Sequence, residues 1–109
     1  MSIATLNIIK NIVGAAGEVV TTAAIPVKNY AKEGYFSVQY HISAGTLKLE
    51  YLICSTIDGT YLEPAAASDI GSGLSNRGFI SFNPILAPFM KLRATFTGGG
   101  TLNLFLNIQ

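Results

Sequence analysis

The chain has 109 residues, of which 50% are hydrophobic and 12% charged, with seven Lys and Arg against six Asp and Glu for a formal net charge of +1. This length accommodates one core rather than two, and the apolar content excludes disorder. A binder that works by replacing phosphate counterions is excluded as well, because there is no surplus of cations.

Met1–Leu6 carries no basic leader ahead of its apolar residues, so no secretory signal is expected. Ile3–Ile9 and Val19–Val27 read as two strands parted by the turn Gly14-Ala15-Ala16-Gly17, with Pro26 at a strand end or edge because it lacks an N–H. Residues 1–17 are read as an N-terminal strand or arm that engages a neighbouring molecule. The strongest signal follows. Phe36, Val38, Tyr40 and Ile42 alternate with Ser37, Gln39 and His41, and Leu47, Leu49, Tyr51 and Ile53 alternate with Lys48, Glu50, Leu52 and Cys54. A period of two puts each apolar set on one face of a strand. Ala44-Gly45 separates the two segments and predicts a hairpin that pairs them. Asp58-Gly59 predicts a tight turn into a short strand, Thr60–Leu62. Pro64–Gly73 reads as a loop of small residues that continues through Ser72–Arg77. Gly78–Phe82 reads as a weaker strand, and Asn83–Pro88 as a crossing with room for one helical turn. Met90, Leu92, Ala94 and Phe96, then Leu102, Leu104, Leu106 and Ile108, repeat the clean alternation, with Gly98-Gly99-Gly100 predicting a second hairpin. The longest uncharged stretch, Ala94–Gln109, has 16 residues including three glycines and two asparagines. It falls short of the roughly 20 apolar residues of a membrane-spanning helix.

The expected fold is therefore all-β: a single domain over residues 1–109, an antiparallel two-sheet sandwich of about eight strands. Strands joined by both hairpins and longer crossings fit a jelly roll or a related Greek-key sandwich, with a small closed barrel as the alternative. A positive mean hydropathy with so few charges leaves apolar and small polar residues to cover the surface. Such a surface suits burial against other subunits. A homo-oligomer is expected, a trimer ahead of a dimer.

No catalytic residue, cofactor site or metal site is expected. His41 and Cys54 are the chain's only histidine and only cysteine. They fall on strands expected to be adjacent, but two ligands do not close a zinc site. Cys54, in the apolar run Leu52-Ile53-Cys54, reads as a small buried hydrophobe with no cationic neighbour to activate it. Glu50, Asp58, Glu63 and Asp69 share no face on which two carboxylates would flank a sugar. Neither a dinucleotide fingerprint nor a phosphate loop appears. Two features mark a possible partner or glycan surface. One is the row Tyr35, Ser37, Gln39 and His41 on one strand face, whose plainer reading is a solvated outer face. The other is Lys91 with Arg93 on the outer face of the next-to-last strand, whose plainer reading is cross-strand ion pairing with Glu50 near Lys48.

The second half carries a distinctive pattern. Gly45-Thr46-Leu47-Lys48-Leu49-Glu50-Tyr51-Leu52 leads to Asp58-Gly59-Thr60-Tyr61-Leu62-Glu63-Pro64. After a variable loop come Phe82-Asn83-Pro84 and Leu86-Ala87-Pro88-Phe89-Met90-Lys91-Leu92-Arg93-Ala94-Thr95, and then a closing strand ends on Asn107-Ile108-Gln109. Over Gly45–Gln109 the chain resembles small β-sandwich proteins encoded among the structural genes of tailed bacteriophages. The resemblance implies a non-enzymatic virion component: a capsid decoration or cement protein, a head fibre, or a tail or baseplate part. Implied partners are a second copy of the chain and a major capsid protein or another virion protein, with no nucleic acid and no membrane, and the implied location is the virion. It carries over no catalytic residue. A carbohydrate-binding or adaptor module of a tail or baseplate is the competing reading. The Tyr35–His41 row and Tyr30, Tyr40, Tyr51 and Tyr61 support it, and the lack of tryptophan, a frequent sugar platform, weighs against it.

Overall fold

The computed structural model describes residues 3–64 and 69–109. It is all-β and antiparallel throughout, with strands β1 (Ala4–Gly14), β2 (Val19–Thr21), β3 (Phe36–Cys54), β4 (Asp69–Phe82), β5 (Phe89–Phe96) and β6 (Gly100–Ile108). A single 3-10 turn, Val27–Asn29, interrupts the connection from β2 to β3.

The two predicted hairpins are absent. Residues 36–54 form one continuous strand, and Gly45 takes φ +71 where a turn was expected. The N-terminal part of β3 pairs β6 (Phe36 opposite Ile108, Ile42 opposite Leu102), and the C-terminal part pairs β5 (Leu47 opposite Phe96, Cys54 opposite Phe89). β5 and β6 are thus successive pieces of one path along the same edge of β3, not a pair with each other. Glycine explains the difference. A Cβ on Gly45 would lie 2.7 Å from the Gly98 Cα, and one on Gly100 would lie 2.8 Å from the Ala44 carbonyl oxygen. The two strands cross backbone to backbone at their bends, which side chains would block.

The outer strands bend at the same level. β1 follows β6 from Ala4–Ile108 to Gly14–Gly100. The chain then steps through Gly17 (φ +84), and β2 follows β5 from Val19–Thr95 to Thr21–Arg93. Beyond Thr21, the predicted strand Val19–Val27 continues as a hydrogen bond from the Thr22 N–H to the Leu92 carbonyl and the bridge from Ile25 to Met90. On the far side, β4 pairs β3 from Phe36–Phe82 to His41–Arg77. After a register shift it pairs again from Thr46–Ser75 to Glu50–Asp69, with Gly73 and Asn76 at φ +63 and +62. Residues 69–77, expected in a loop, are therefore strand, and Ala65–Ser68 of that expected loop lie outside the described residues. The short strand Thr60–Leu62 reduces to one bridge, Leu62 to Ile53, and Asn83–Pro88 crosses without a helical turn.

Two half-sheets result, ordered β1-β6-β3(36–42)-β4(77–82) and β2-β5-β3(47–54)-β4(69–75) and joined through the bent strands. They curl around a single apolar core. Met90, Leu92, Ala94, Phe96, Leu102, Leu104, Leu106 and Ile108 are all fully buried, as their alternation predicts. Contacts cross between the halves: the Tyr51 and Phe82 rings lie 5.8 Å apart, and the Ile80 side chain packs over Gly71, where a Cβ would come within 2.8 Å. The Tyr51 hydroxyl accepts a hydrogen bond from the Ile85 N–H at 3.0 Å, which fastens the 83–88 crossing to β3. β1, the N-terminal strand, lies at the sheet edge against β6 of its own chain. Its register shifts at Asn7–Ile9 and Ile9–Ile12, so Ile9 is buried while Ile12 and Val13 are exposed.

Candidate functional surface

The half-sheets turn very different outer faces to solvent. On the β2-β5-β3-β4 half, Glu50 lies directly opposite Arg93 and the two side chains pair. Arg93 Nε donates to Glu50 Oε1 at 3.2 Å, its terminal nitrogen lies 3.1 Å from Glu50 Oε2, and it also reaches Glu63. Lys48 stands 3.9 Å from Glu50 and 3.8 Å from Asp69. Glu50 is 8% exposed, so these cations offset the desolvation of its charge. In turn, the hydrogen bonds from Arg93 to Glu50 and then Glu63 hold the guanidinium above its ordinary pKa. The Lys91 ammonium sits 4.4 Å from the centre of the Tyr61 ring. Both cations named as candidate partner-surface residues thus have intramolecular partners.

Cys54 closes this face and is half-exposed, not buried as expected. The strand ends there, and the chain turns sharply through Thr56–Gly59 rather than continuing as a covered segment. Hydrogen bonding from the Thr56 backbone is the main cause that lowers the thiol pKa, assisted by the Thr56 hydroxyl and the backbone of Ser55 and Gly59. Tyr61 moves the other way, raised first by desolvation and then by the nearby Cys54 and Asp58 charges. Because β3 does not fold back on itself, His41 and Cys54 lie in opposite halves of one strand rather than on neighbouring ones.

The β1-β6-β3-β4 half carries the other candidate row. Register places three of its residues, Ser37, Gln39 and His41, within cross-strand ladders. Ser37 stands between Asn107 and Ser81, Gln39 between Phe105 and Phe79, and His41 between Asn103 and Arg77. Thr5 and Asn7 of β1 extend the first two ladders beyond Asn107 and Phe105. Asn107 Nδ2 donates to Ser37 Oγ at 3.3 Å, and Thr5 Oγ1 donates to Asn107 Oδ1 at 2.8 Å. Tyr35 stands at the end of the row. The Gln109 carbonyl accepts hydrogen bonds from the N–H groups of Glu33, Gly34 and Tyr35, and the Gln109 N–H returns one to the Tyr35 carbonyl. The chain's last residue therefore fixes the loop that presents the Tyr35 ring. Tyr35 and Phe79 are 67% and 68% exposed. An open hollow of about 580 Å³ is lined by Ile3, Tyr35, Ser37, Ser81, Asn83, Asn107 and Gln109, together with Gly34, Phe36 and Phe82.

The sequence singled out Tyr35, Ser37, Gln39 and His41 as a candidate row but not Phe79, Ser81, Phe105 and Asn107, which the register places beside it. Phe105 and Asn107 sit at the outward positions of β6, so their direction was legible. Their proximity to Gln39 and Ser37 was not, because it depends on the β3–β6 register.

No protein-family model and no curated protein matches the chain. Among solved structures, the chain is similar to chains in the structures of infectious bursal disease virus, Gx and Gt strains. The TM-score is 0.48 in both cases, with 14% and 13% identity over 98% of this chain. It spans about a third of the length of those chains, 33% and 32% respectively.

Proposed function

We propose that this chain is a non-enzymatic structural subunit of a virus particle, built as a jelly-roll sandwich and acting as a capsid decoration or cement protein. The strand order carries the reading. A jelly roll is eight antiparallel strands in two facing sheets formed by a rolled ribbon, and the two half-sheets supply eight strand segments in two sets of four around one core. The virion role is supported by the resemblance of Gly45–Gln109 to small phage β-sandwich proteins and by the charge-poor composition. Exposed apolar residues such as Val13, Val19, Leu62, Ile85 and Leu86 add to it. An isolated domain with such a surface gains from burial in a symmetric oligomer. The oligomer favoured is a trimer, matching the threefold positions of a capsid lattice, where many weak contacts add through effective concentration.

The test is to mix purified protein with undecorated shells. The expected result is a trimer by sedimentation at micromolar concentration, density at repeated lattice positions by electron microscopy, and shells that survive to higher temperature. A monomer that neither binds shells nor delays their rupture refutes the proposal.

A further inference from the structure

We propose that the hollow beside Tyr35, with the outer-face ladder running from it to Phe79, is a binding site for a neutral oligosaccharide. The inference is argued from the chemistry of this face alone, so it does not rest on the structural role. Its chemistry selects the ligand class. The polar groups around the hollow are the hydroxyls of Tyr35, Ser37 and Ser81 and the amides of Asn83, Asn107 and Gln109. These groups offer both donors and acceptors, as the hydroxyls of a sugar require. Among the described residues, no charged side chain lines the hollow. The nearest ladder cation, Arg77, lies opposite His41 at the far end of the row, four residues along β4 from Ser81. An anionic ligand thus finds no cationic side chain to pair with there.

Two flat apolar surfaces complete the site. The Tyr35 ring stands at the hollow, and the Phe79 ring projects from the same outer face two residues along β4 from Ser81, with Gln39 and then Phe105 beside it. Rings two-thirds exposed on one face offer area for the C–H side of a pyranose, while the amides between them meet its hydroxyls. The volume lies within the ~300–1,000 Å³ common for ligand sites. The frame is preformed. Ser37, Ser81 and Asn107 belong to three hydrogen-bonded strands, and Gln109 pins the Tyr35 loop, so binding orders little backbone. On the opposite half, the outer face around Glu50 is occupied by the Arg93 ion pairs and the Lys91–Tyr61 contact.

The experiment uses the intact chain and titrates it by calorimetry with neutral hexose, deoxyhexose and N-acetylhexosamine oligosaccharides, with polygalacturonate as the acidic arm. The expected result is saturable binding of at least one neutral oligosaccharide, weakened about tenfold by Tyr35→Ala and by Phe79→Ala. Lys91→Ala, on the opposite half, leaves binding unchanged, and thermal melts confirm that all three variants are folded. The inference is overturned if no neutral member binds at millimolar concentration, if polygalacturonate binds in preference, or if binding survives both aromatic substitutions. Shell binding measured on the same variants keeps this outcome separate from the decoration role.

Discussion

The two half-sheets share one construction and differ in how they finish their outer faces. Both bury a strict alternation of apolar side chains, Leu102 to Ile108 on one half and Met90 to Phe96 on the other. On the β2-β5-β3-β4 half, Lys48, Glu50, Arg93, Glu63 and Asp69 neutralise one another. On the β1-β6-β3-β4 half, amides, hydroxyls and two exposed rings face solvent. Charges that are paired within the chain have less to offer a ligand, whereas polar groups whose alternative partner is water exchange it at little cost. Strand alternation alone therefore does not mark a functional face. What separates the two faces is charge, paired into a network around Glu50 on one and absent from the Ser37 and Gln39 ladders on the other.

The largest expected effect tests the shared construction. Leu104 is fully buried and Asn103 beside it faces outward. Leu104→Ala should cost about 2–5 kcal/mol through lost transfer energy and the cavity left behind. Asn103→Ala should cost far less in the same denaturant titration, and equal losses would mean that both faces are closed. The line that divides the halves is tested next. Gly45→Ala puts a Cβ 2.7 Å from the Gly98 Cα at a backbone φ of +71. A loss of about 1–3 kcal/mol is expected in the same assay, from the left-handed φ with the close contact added. If the substitution is neutral, the bend does not require the glycine pair.

The finish of the charged half is probed by Arg93→Met, which strands the nearly buried Glu50 with Lys48 at 3.9 Å. The expected destabilisation is about 1–3 kcal/mol at neutral pH, because a charge-assisted hydrogen bond is removed. On the neutral half, Phe79→Ala removes a ring that is 68% exposed and should shift stability by no more than about 0.5 kcal/mol. A larger loss would make that ring structural. The smallest effect concerns Cys54. Hydrogen bonds that favour its thiolate lower the pKa. Its alkylation rate by iodoacetamide should therefore rise with pH at a lower midpoint than that of a free cysteine in a short peptide. A midpoint at or above the peptide's would mean that the Thr56 backbone does not stabilise the thiolate.

What the sequence determined by itself is local and periodic. The alternation of Phe36 to Ile42, Leu47 to Ile53, Met90 to Phe96 and Leu102 to Ile108 dictated strands and named their buried faces, since a period of two needs no knowledge of the partner. It also pointed to Arg93 and Glu50 as a cross-strand pair. The tertiary structure decided everything that depends on which strand lies beside which. A glycine in a strand pattern marks a departure from regular geometry, but a hairpin and a bend begin with the same residues. At Gly45 and Gly98–Gly100 the bend won because β3 and the β5–β6 connection pass in backbone contact there, and that requirement arises between residues more than fifty positions apart. The neighbourhood of Gln39 with Phe79 and Phe105, and of Ser37 with Ser81 and Asn107, has the same origin. Register across three strands is set by burying the opposite faces of all of them in one core, so it exists only once that core has formed.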